Sequence, residues 1–432
     1  MFSVPLFTLS SGLHTEVLPD ASLEPFLKAV VKAGKGTFSF DVRGSHFEEW
    51  NGFDNALIFV RTGGTEGTFR EVFHLISGPV TMLTSGSSNS LAASMEILSF
   101  LRRQGREGRI LHGSPEGIAR QIAAWGETVQ TSSRSSEVNC LNYCYTPFVH
   151  PADVCLSARY GVIGRPSDWL IASDPDREAL LSLLDATLVD IPIDELIEET
   201  QLVLKETPTT ALYAMLVGCE EVAQPTDLRA SLPCALAIYV ALKHIIERYA
   251  LSGLTVRCFD LLDTLHNTGC LALAMLNAEG FPAACEGDIP ALISMAVARR
   301  ATGVNGFQAN PSRIDPDRGN MVFAHCTAPL DILRRYAFDT HFESGIGVAI
   351  RGEMNEGPVT LFKLSPNLDE CFICEGMLTD NLHETHLCRT QLQLHMEGVA
   401  DYFLRHSIGN HHIILPGYHA ASLKRALGCR LK

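Results

Sequence analysis

The chain has 432 residues, of which 46% are hydrophobic and 19% are charged. This length and apolar content can supply several buried cores, which excludes a disordered protein, a collagen and a disulfide-rich mini-protein. The 49 acidic residues outnumber the 34 basic ones and give a net charge of −15. Such a charge argues against nucleic acid and against anionic membranes as partners.

We expect a cytoplasmic protein that does not span a membrane. The longest apolar run, Leu232 to Leu242, is about half of the ~20 residues that a spanning helix needs. Residues 1–13 have no basic residue ahead of their apolar stretch, so they are not typical of a secretory signal. The 13 cysteines form an odd number, with none before Cys140, which favours reduced and buried thiols over a disulfide framework.

The first third of the chain alternates short apolar runs with amphipathic segments, a pattern typical of a parallel sheet covered by helices. The predicted strands are Asn55–Val60, Pro79–Leu83 and Arg109–His112. The predicted helices are Thr68–Leu75, a helix ending at Arg103, and Ser114–Trp125. A stretch rich in Ser and Thr follows at residues 128–137, and we predict a linker there. The first α/β domain is therefore predicted over residues 1–135.

A second α/β domain is predicted over residues 136–325. Its predicted strands are Trp169–Ser173, Thr255–Leu261 and Phe281–Cys285. Its predicted helices are Asp176–Leu184, Asp194–Lys205, Asp227–Leu251 and a helix that begins at Asp288. Asp288 is a suitable N-cap, and Pro290 fits the first turn because its missing N–H is harmless there.

The pattern changes in residues 326–432, where strands follow one another without helices between them. The predicted strands are Gly345–Arg351, Pro358–Leu364, Cys371–Met377, Leu387–His395 and His411–Leu415, with short helices at Val399–Arg405 and Ala420–Leu427. Consecutive strands favour an antiparallel sheet or barrel. The fold class is therefore α/β, with two parallel-sheet domains followed by a β-rich, barrel-like C-terminal domain.

Two closely spaced cysteine pairs raise the question of a zinc site. They are Cys140 with Cys144 and Cys371 with Cys374. A structural zinc site needs four ligands at matching spacing. Because Cys371 and Cys374 lie in a strand-like run, we assign them to the core.

Several common catalytic motifs are absent, including the dinucleotide and phosphate-binding glycine loops, the nucleophile elbow and the HExxH zinc motif. Potential ligands for a hard metal remain at strand ends: Glu286, Asn310, His325 and the pair His411-His412. Adjacent strand residues face opposite sides, so only one histidine of that pair can point into a given site. Carboxylate, amide and imidazole ligands together suit Mn²⁺ or Mg²⁺ better than structural zinc.

These segments resemble the metal-dependent aldose–ketose isomerases of the L-fucose and L-arabinose isomerase group, and most closely the shorter fucose-isomerase-like proteins. The resemblance covers most of the chain. The segments that carry it are Gly63–Gly67, Gly164–Trp169, Ala284–Asp288, Asn310–Asp315, Val322–Cys326 and Gly409–His412.

The resemblance implies a function and a set of site residues. The function is interconversion of an aldose and a ketose through a cis-enediol. Glu286 matches a metal-binding carboxylate that also acts as acid and base, His325 matches the middle histidine, and His412 matches the C-terminal histidine ligand. Asn310 stands where the family has a second acid. The implied metal ligands are therefore Glu286, Asn310, His325 and His412, and the implied catalytic residues are Glu286 and Asn310.

The resemblance also implies the partners. Arg165 and Trp169 are expected in or near a sugar pocket, and the assembly is expected to be a homotrimer or homohexamer with sites near subunit contacts.

Asn310 leaves the proton-transfer step open, because an amide can bind a metal through its oxygen but cannot accept a proton from C2. Either Glu286 shuttles the proton alone, or Asp288 or Asp315 replaces the missing acid. The alternative functions are a sugar-binding or regulatory relative with an impaired site, and a different metal-dependent step such as epimerisation.

Overall fold

The computed structural model describes residues 1–11, 23–53, 56–128, 143–147, 154–213 and 226–428. Over these ranges it contains two parallel sheets flanked by helices and an antiparallel barrel formed in the C-terminal part. The predicted fold class is confirmed. The predicted linker at residues 128–137 and the boundary at residue 135 fall almost entirely outside the described residues, as does Cys140.

The first sheet has five parallel strands in the order β2-β1-β3-β4-β5. Its strands are β1 (Phe2–Leu9), β2 (Phe38–Gly44), β3 (Leu57–Val60), β4 (Val80–Thr84) and β5 (Gly108–Leu111). The helices are α1 (Leu23–Ala33), α2 (Glu66–Val72), α3 (Ser90–Arg103) and α4 (Pro115–Thr128). The three predicted strands are confirmed as β3, β4 and β5, while β1 and β2 are strands that the sequence reasoning did not identify.

The second sheet has four parallel strands in the order β10-β9-β7-β8. After β6 (Tyr143–Pro147), which joins a different sheet, its strands are β7 (Ala158–Ile163), β8 (Ala186–Ile191), β9 (Gly253–Val256) and β10 (Ala283–Cys285). The helices are α5 (Arg177–Leu184), α6 (Ile193–Glu206), α7 (Thr209–Tyr213), α8 (Thr226–Tyr249), α9 (Leu261–Leu265), α10 (Cys270–Ala278) and α11 (Ile289–Thr302).

The predicted strand at Trp169–Ser173 is wrong. These residues form turns, and the strand in this part of the chain is β7. Leu170 and Ala172 are nevertheless buried, and the amide of Ala172 donates to Glu96 Oε1 of α3 at 2.7 Å. The apolar run thus reflects burial of a loop against α3, which a short sequence window cannot distinguish from burial of a strand.

Helix α8 is the one helix of the described residues that is long and apolar enough to cross a membrane by length and composition. Of its apolar segment, 44% is buried inside the protein. Ala235, Leu236 and Ile238 on this helix belong to the main hydrophobic core. The core helix of a water-soluble protein meets the same criteria.

The third sheet is a closed barrel of six antiparallel strands in the order β15-β18-β11-β12-β17-β16, with β16 pairing back to β15. Its strands are β11 (Phe307–Asp315), β12 (Asn320–His325), β15 (Gly357–Leu364), β16 (Glu370–Asn381), β17 (Thr390–His395) and β18 (His412–Pro416). A hairpin of β13 (Arg335–Asp339) and β14 (Ala349–Glu353) precedes β15, and α12 (Ala420–Ala426) follows β18. Strand β6 pairs with the outer edge of β16.

Two details of the C-terminal part differ from expectation. The predicted helix at Val399–Arg405 is instead a π-helical turn at Tyr402–His406. Strands β11 and β12 pair within the barrel, although the sequence grouped them with residues 136–325. The two parallel sheets and the barrel meet at a cleft described below.

Cys371 and Cys374 are both buried in β16, where Cys371 packs in an apolar cluster with Phe362 and Ile373. We therefore expect the double variant Cys371→Ser with Cys374→Ser to lose stability, by about 1–3 kcal/mol for each buried hydroxyl left without a hydrogen bond. Its affinity for Mn²⁺ should remain that of the wild type in calorimetry. Loss of the metal by this variant would place the metal site at these thiols.

Candidate functional site

The turn between β10 and α11 places a carboxylate at the carboxyl end of a parallel sheet, the edge where α/β proteins bind ligands. Glu286 follows β10 directly and has a backbone φ of +64°, and Gly287 has a φ of +70°. A left-handed conformation costs a residue with a side chain roughly 1–2 kcal/mol. Such strain is concentrated at functional positions, because the surrounding structure must hold it in place.

A loop from the second parallel domain closes over this turn. The amide of Ser167 donates to the Glu286 carbonyl at 3.0 Å, and the Nε1 of Trp169 donates to Glu286 Oε2 at 2.6 Å. A Cβ at Gly287 would lie 2.5 Å from the carbonyl oxygen of Arg165, so only glycine permits this approach. Arg257 holds the loop from below through the carbonyl of Pro166 at 2.7 Å. One oxygen of Glu286 is therefore fixed by Trp169.

The other oxygen of Glu286 faces two imidazoles. Glu286 Oε1 lies 3.6 Å from Nε2 of His325 at the end of β12 and 3.5 Å from Nε2 of His411, just before β18. The three potential ligand atoms all lie within 4.8 Å of one another. Within the described ranges this is the one group of at least three His, Cys, Asp or Glu side chains found in such an arrangement.

The donor atoms of this group fit a divalent cation. His325 Nδ1 is paired with Thr327 Oγ1 at 3.0 Å and His411 Nδ1 with Asp288 Oδ2 at 2.8 Å, so both Nε2 atoms are directed toward Glu286. His411 Nε2 is buried and has no hydrogen-bond partner. One carboxylate and two imidazoles suit transition metals such as Mn²⁺ and Zn²⁺. The geometry thus forms a possible metal-binding group without identifying the metal.

Electrostatics link the members of this group. Burial favours the neutral form of Glu286, but the two imidazoles outweigh it and hold the pKa of this carboxyl well below its usual range. Burial opposes the charged form of His411, but Glu286 and Asp288 outweigh it and raise its pKa to about 9. In the metal-free protein, Glu286 is therefore an ionised carboxylate and a weak proton acceptor.

His412, the histidine that the resemblance implied as a ligand, lies outside this group. Its Nε2 pairs with the Tyr402 hydroxyl at 2.9 Å and its Nδ1 with the carbonyl of Asn410 at 3.0 Å. Burial lowers its pKa to about 3, so the ring is neutral. His411 takes the expected position instead, because adjacent residues at the start of a strand face opposite sides. The described geometry therefore places His411, and not His412, beside Glu286 and His325.

A cleft opens beside Glu286. Its described lining comes from both parallel domains and from the barrel: Gly63, Gly64, Glu66, Asn89, Ala92, Ala93, Trp169, Phe259, Glu286, Asn310, Glu343 and Asn410. Phe259 packs edge-on against Trp169, with ring centroids 4.9 Å apart. Asn89 Nδ2 donates to Glu343 Oε1 at 2.7 Å. Three carboxylates and three amides make this a polar cleft with one aromatic wall.

Two of the remaining predicted residues differ in their placement. Asn310 is buried, lines the cleft and has an Oδ1 without a hydrogen-bond partner. The Arg165 side chain is 70% exposed and pairs with Asp168 at 3.1 Å, and it is not part of the described lining. Trp169 lines the cleft.

The two acids considered as substitutes for a second catalytic acid are engaged elsewhere. Asp288 caps α11 through Ala291 and pairs with His411. Asp315 accepts hydrogen bonds from the backbone of the turn after β11.

Glu66, at the start of α2, is buried, and its Oε2 has no hydrogen-bond partner. Burial, with the nearby charges of Glu96 and Glu286, raises the Glu66 pKa well above its ordinary value.

Only part of this lining could have been found from the sequence. Glu66 lies within the segment Gly63–Gly67 that carries the resemblance, but nothing local indicates that its carboxyl faces the cleft. Glu343 lies in a turn after β13 and has no motif around it. Both reach the cleft through long-range packing of separate sheets.

Another buried carboxyl, that of Glu96, lies on α3. Glu96 Oε1 accepts from the amide of Ala172 and from the hydroxyl of Ser173, and burial raises the Glu96 pKa from 4.5 to about 7. The folded chain therefore binds this proton more tightly than the unfolded chain. Binding of this proton by Glu96 stabilises the folded chain fully below about pH 4.5, and this stabilisation is lost as the pH rises to 7 and beyond.

Glu96→Gln should consequently be more stable relative to the wild type at pH 8 than at pH 5, because the amide has no proton to lose. Urea unfolding of both proteins at these two pH values measures the difference. An equal difference at both pH values would contradict a raised pKa at Glu96.

No family model matches the chain. Two curated proteins show local similarity: a sulfoquinovose isomerase of Alkalicoccus urumqiensis, 28% identical over 130 residues, and a sulfoquinovose isomerase of Clostridium sp. (strain MSTE9), 27% identical over 131 residues. The first match covers 29% of each chain, and the second covers 30% of this chain and 28% of the relative. This chain therefore aligns with less than a third of the length of these curated relatives.

Proposed function

We propose that the protein is a metal-dependent aldose–ketose isomerase acting on a free sugar through a cis-enediol. The observation that carries this proposal is the group of Glu286, His325 and His411 beside a polar cleft with an aromatic wall. The local similarity to two proteins named as sugar isomerases supports the same class of reaction.

Glu286, His325 and His411 would hold the cation, and Mn²⁺ or Mg²⁺ is proposed as its identity. A bound divalent cation would polarise the carbonyl and the neighbouring hydroxyl of the sugar. Asn310 contributes an unpaired amide oxygen on the same cleft, as a further ligand or as an acceptor for a sugar hydroxyl.

Isomerisation moves one proton from C2 of the aldose to C1, and moves the O2 hydroxyl proton to O1. Glu286 is poorly suited to carry the carbon-bound proton, since one of its oxygens faces the proposed cation and Trp169 holds the other. We assign this transfer to Glu66, whose raised pKa makes its ionised form a stronger base. Trp169 and Phe259 supply the apolar wall for the C–H face of the sugar.

The sugar that we propose is uncharged. The relatives are named for sulfoquinovose, a sugar that bears an anionic sulfonate. The described lining of this cleft contains three acidic side chains and neither Lys nor Arg, and Arg165 is not part of it. An anionic group placed beside Glu343 would be repelled, and no described Lys or Arg of the lining would pair with it.

The test is a metal analysis of the purified protein, followed by a panel of aldoses and ketoses with added Mn²⁺. We expect interconversion of an uncharged aldose and ketose that chelation abolishes and Mn²⁺ restores. Activity on sulfoquinovose alone would contradict the proposed substrate class. Absence of any isomerisation, together with binding of a sugar, would favour the alternative of a regulatory or sugar-binding relative.

The variant Asn310→Asp addresses that alternative directly. A large gain in isomerase activity would indicate that the natural asparagine impairs the site. Loss of activity, or no change, would indicate that Asn310 belongs to a working site.

Homotrimeric or homohexameric assembly and a cytoplasmic location are parts of the same proposal. Light scattering that shows a stable 47.2 kDa monomer at working concentration would contradict the assembly.

A further inference from the structure

Behind the proposed metal site lies a group of charged side chains that the reaction does not use. Asp288 and Lys363 are 0% and 1% exposed, and Lys363 Nζ lies 3.8 Å from Asp288 Oδ2. Burying charges is costly unless they are paired or hydrogen-bonded, so such a group requires a physical reason.

The two oxygens of Asp288 have separate partners. Oδ1 accepts from the amide of Ala291 at 2.7 Å and caps α11. Oδ2 lies 2.8 Å from Nδ1 of His411. A cap requires only one oxygen, so capping explains Oδ1 and leaves the contact with His411 to be explained.

The contact with Asp288 determines which nitrogen of His411 carries the proton in the neutral ring. An ionised carboxylate only accepts hydrogen bonds, so Nδ1 of His411 must donate. The neutral imidazole then has a lone pair on Nε2, the buried atom without a partner that lies 3.5 Å from Glu286 Oε1. Histidine ligands of metals commonly have such a carboxylate partner, which fixes the tautomer and the orientation of the ring.

We propose that Asp288 is a positioning residue that holds Nδ1 of His411 and so presents Nε2 of the same ring as a ligand. This inference rests on the metal site of the proposed function. It gives Asp288 a role distinct from the acid or base that the sequence suggested.

The decisive variant is Asp288→Asn. Asparagine is as good an N-cap as aspartate, so α11 keeps its cap through Oδ1. The amide nitrogen that replaces Oδ2 is a donor, so Nδ1 of His411 must accept and its proton moves to Nε2, the atom that faces the metal. We expect Mn²⁺ affinity in calorimetry to fall about 10- to 100-fold. The variant leaves the buried Lys363 without its carboxylate partner, so the urea midpoint of the metal-free protein should fall, and affinity is measured on protein that circular dichroism shows to be folded.

Glu96→Gln is the matched control, because it also converts a buried carboxyl behind the site to an amide but is not in contact with His411. Its Mn²⁺ affinity should stay within about threefold of the wild type, a change small on the scale expected for a lost carboxylate partner. A second variant, Asp288→Ser, keeps an oxygen that can cap α11 but is too short to maintain the contact with His411, and it should lose affinity as well.

The outcomes separate this inference from the proposed function. Wild-type protein that binds no Mn²⁺ would overturn both. Wild-type binding that persists unchanged in a folded Asp288→Asn or Asp288→Ser variant would overturn the positioning role alone. Equal losses in Asp288→Asn and Glu96→Gln would also overturn it, since they would show a general effect of buried charge.

Discussion

Replacing His411 with alanine should lower Mn²⁺ affinity by at least about 100-fold, since the loss of a carboxylate partner to a ligand already costs 10- to 100-fold. The ring faces Glu286 and His325 with an unpartnered Nε2, and alanine has no atom to replace it. Calorimetry with Mn²⁺ measures the loss, and urea unfolding of the metal-free variant shows whether the fold is retained.

His412→Ala is the matched neighbour and should behave in the opposite way. Its ring packs against Phe372 and Phe403 and pairs with the Tyr402 hydroxyl, so its removal leaves a cavity and a buried hydroxyl without that partner. We expect a loss of about 3 kcal/mol in the free energy of unfolding, with Mn²⁺ affinity nearly unchanged. Loss of the metal in His412→Ala and its retention in His411→Ala would restore the assignment that the resemblance implied.

Glu66→Gln should lower kcat by about 100- to 10,000-fold, the range that a positioned acid or base contributes. The amide has nearly the shape of the protonated carboxyl that burial favours, so folding and Mn²⁺ affinity should be retained. Incorporation of solvent deuterium at C2 of recovered substrate measures the proton-transfer step separately from product release, and it should fall with kcat.

Glu343→Gln provides the comparison for this variant within the same cleft. Glu343 accepts from Asn89, so its replacement should alter KM more than kcat. If Glu66→Gln keeps full deuterium exchange while Glu343→Gln loses it, the carbon-bound proton belongs to Glu343 and the assignment to Glu66 is wrong.

Local sequence signals were sufficient for much of the fold. The continuous apolar runs of β3 and β4 indicated that both strands are buried. The aspartate at position 288, two residues before a proline, indicated the N-cap of α11. Successive strands without helices indicated the antiparallel barrel. The same signals failed at Trp169–Ser173, because an apolar run reports burial and does not report backbone conformation.

Residue order alone was enough to make Glu286 and His325 candidate ligands, because Glu286 directly follows an apolar strand and His325 ends one. Only the tertiary structure placed His411 rather than His412 beside Glu286, since this depends on which side of the segment faces the turn after β10, and a shift of one residue reverses every side chain. Glu66 and Glu343 likewise come to the cleft from the first parallel domain and from the turn after β13. Their roles arise from contacts between residues distant in the chain, which residue spacing does not encode.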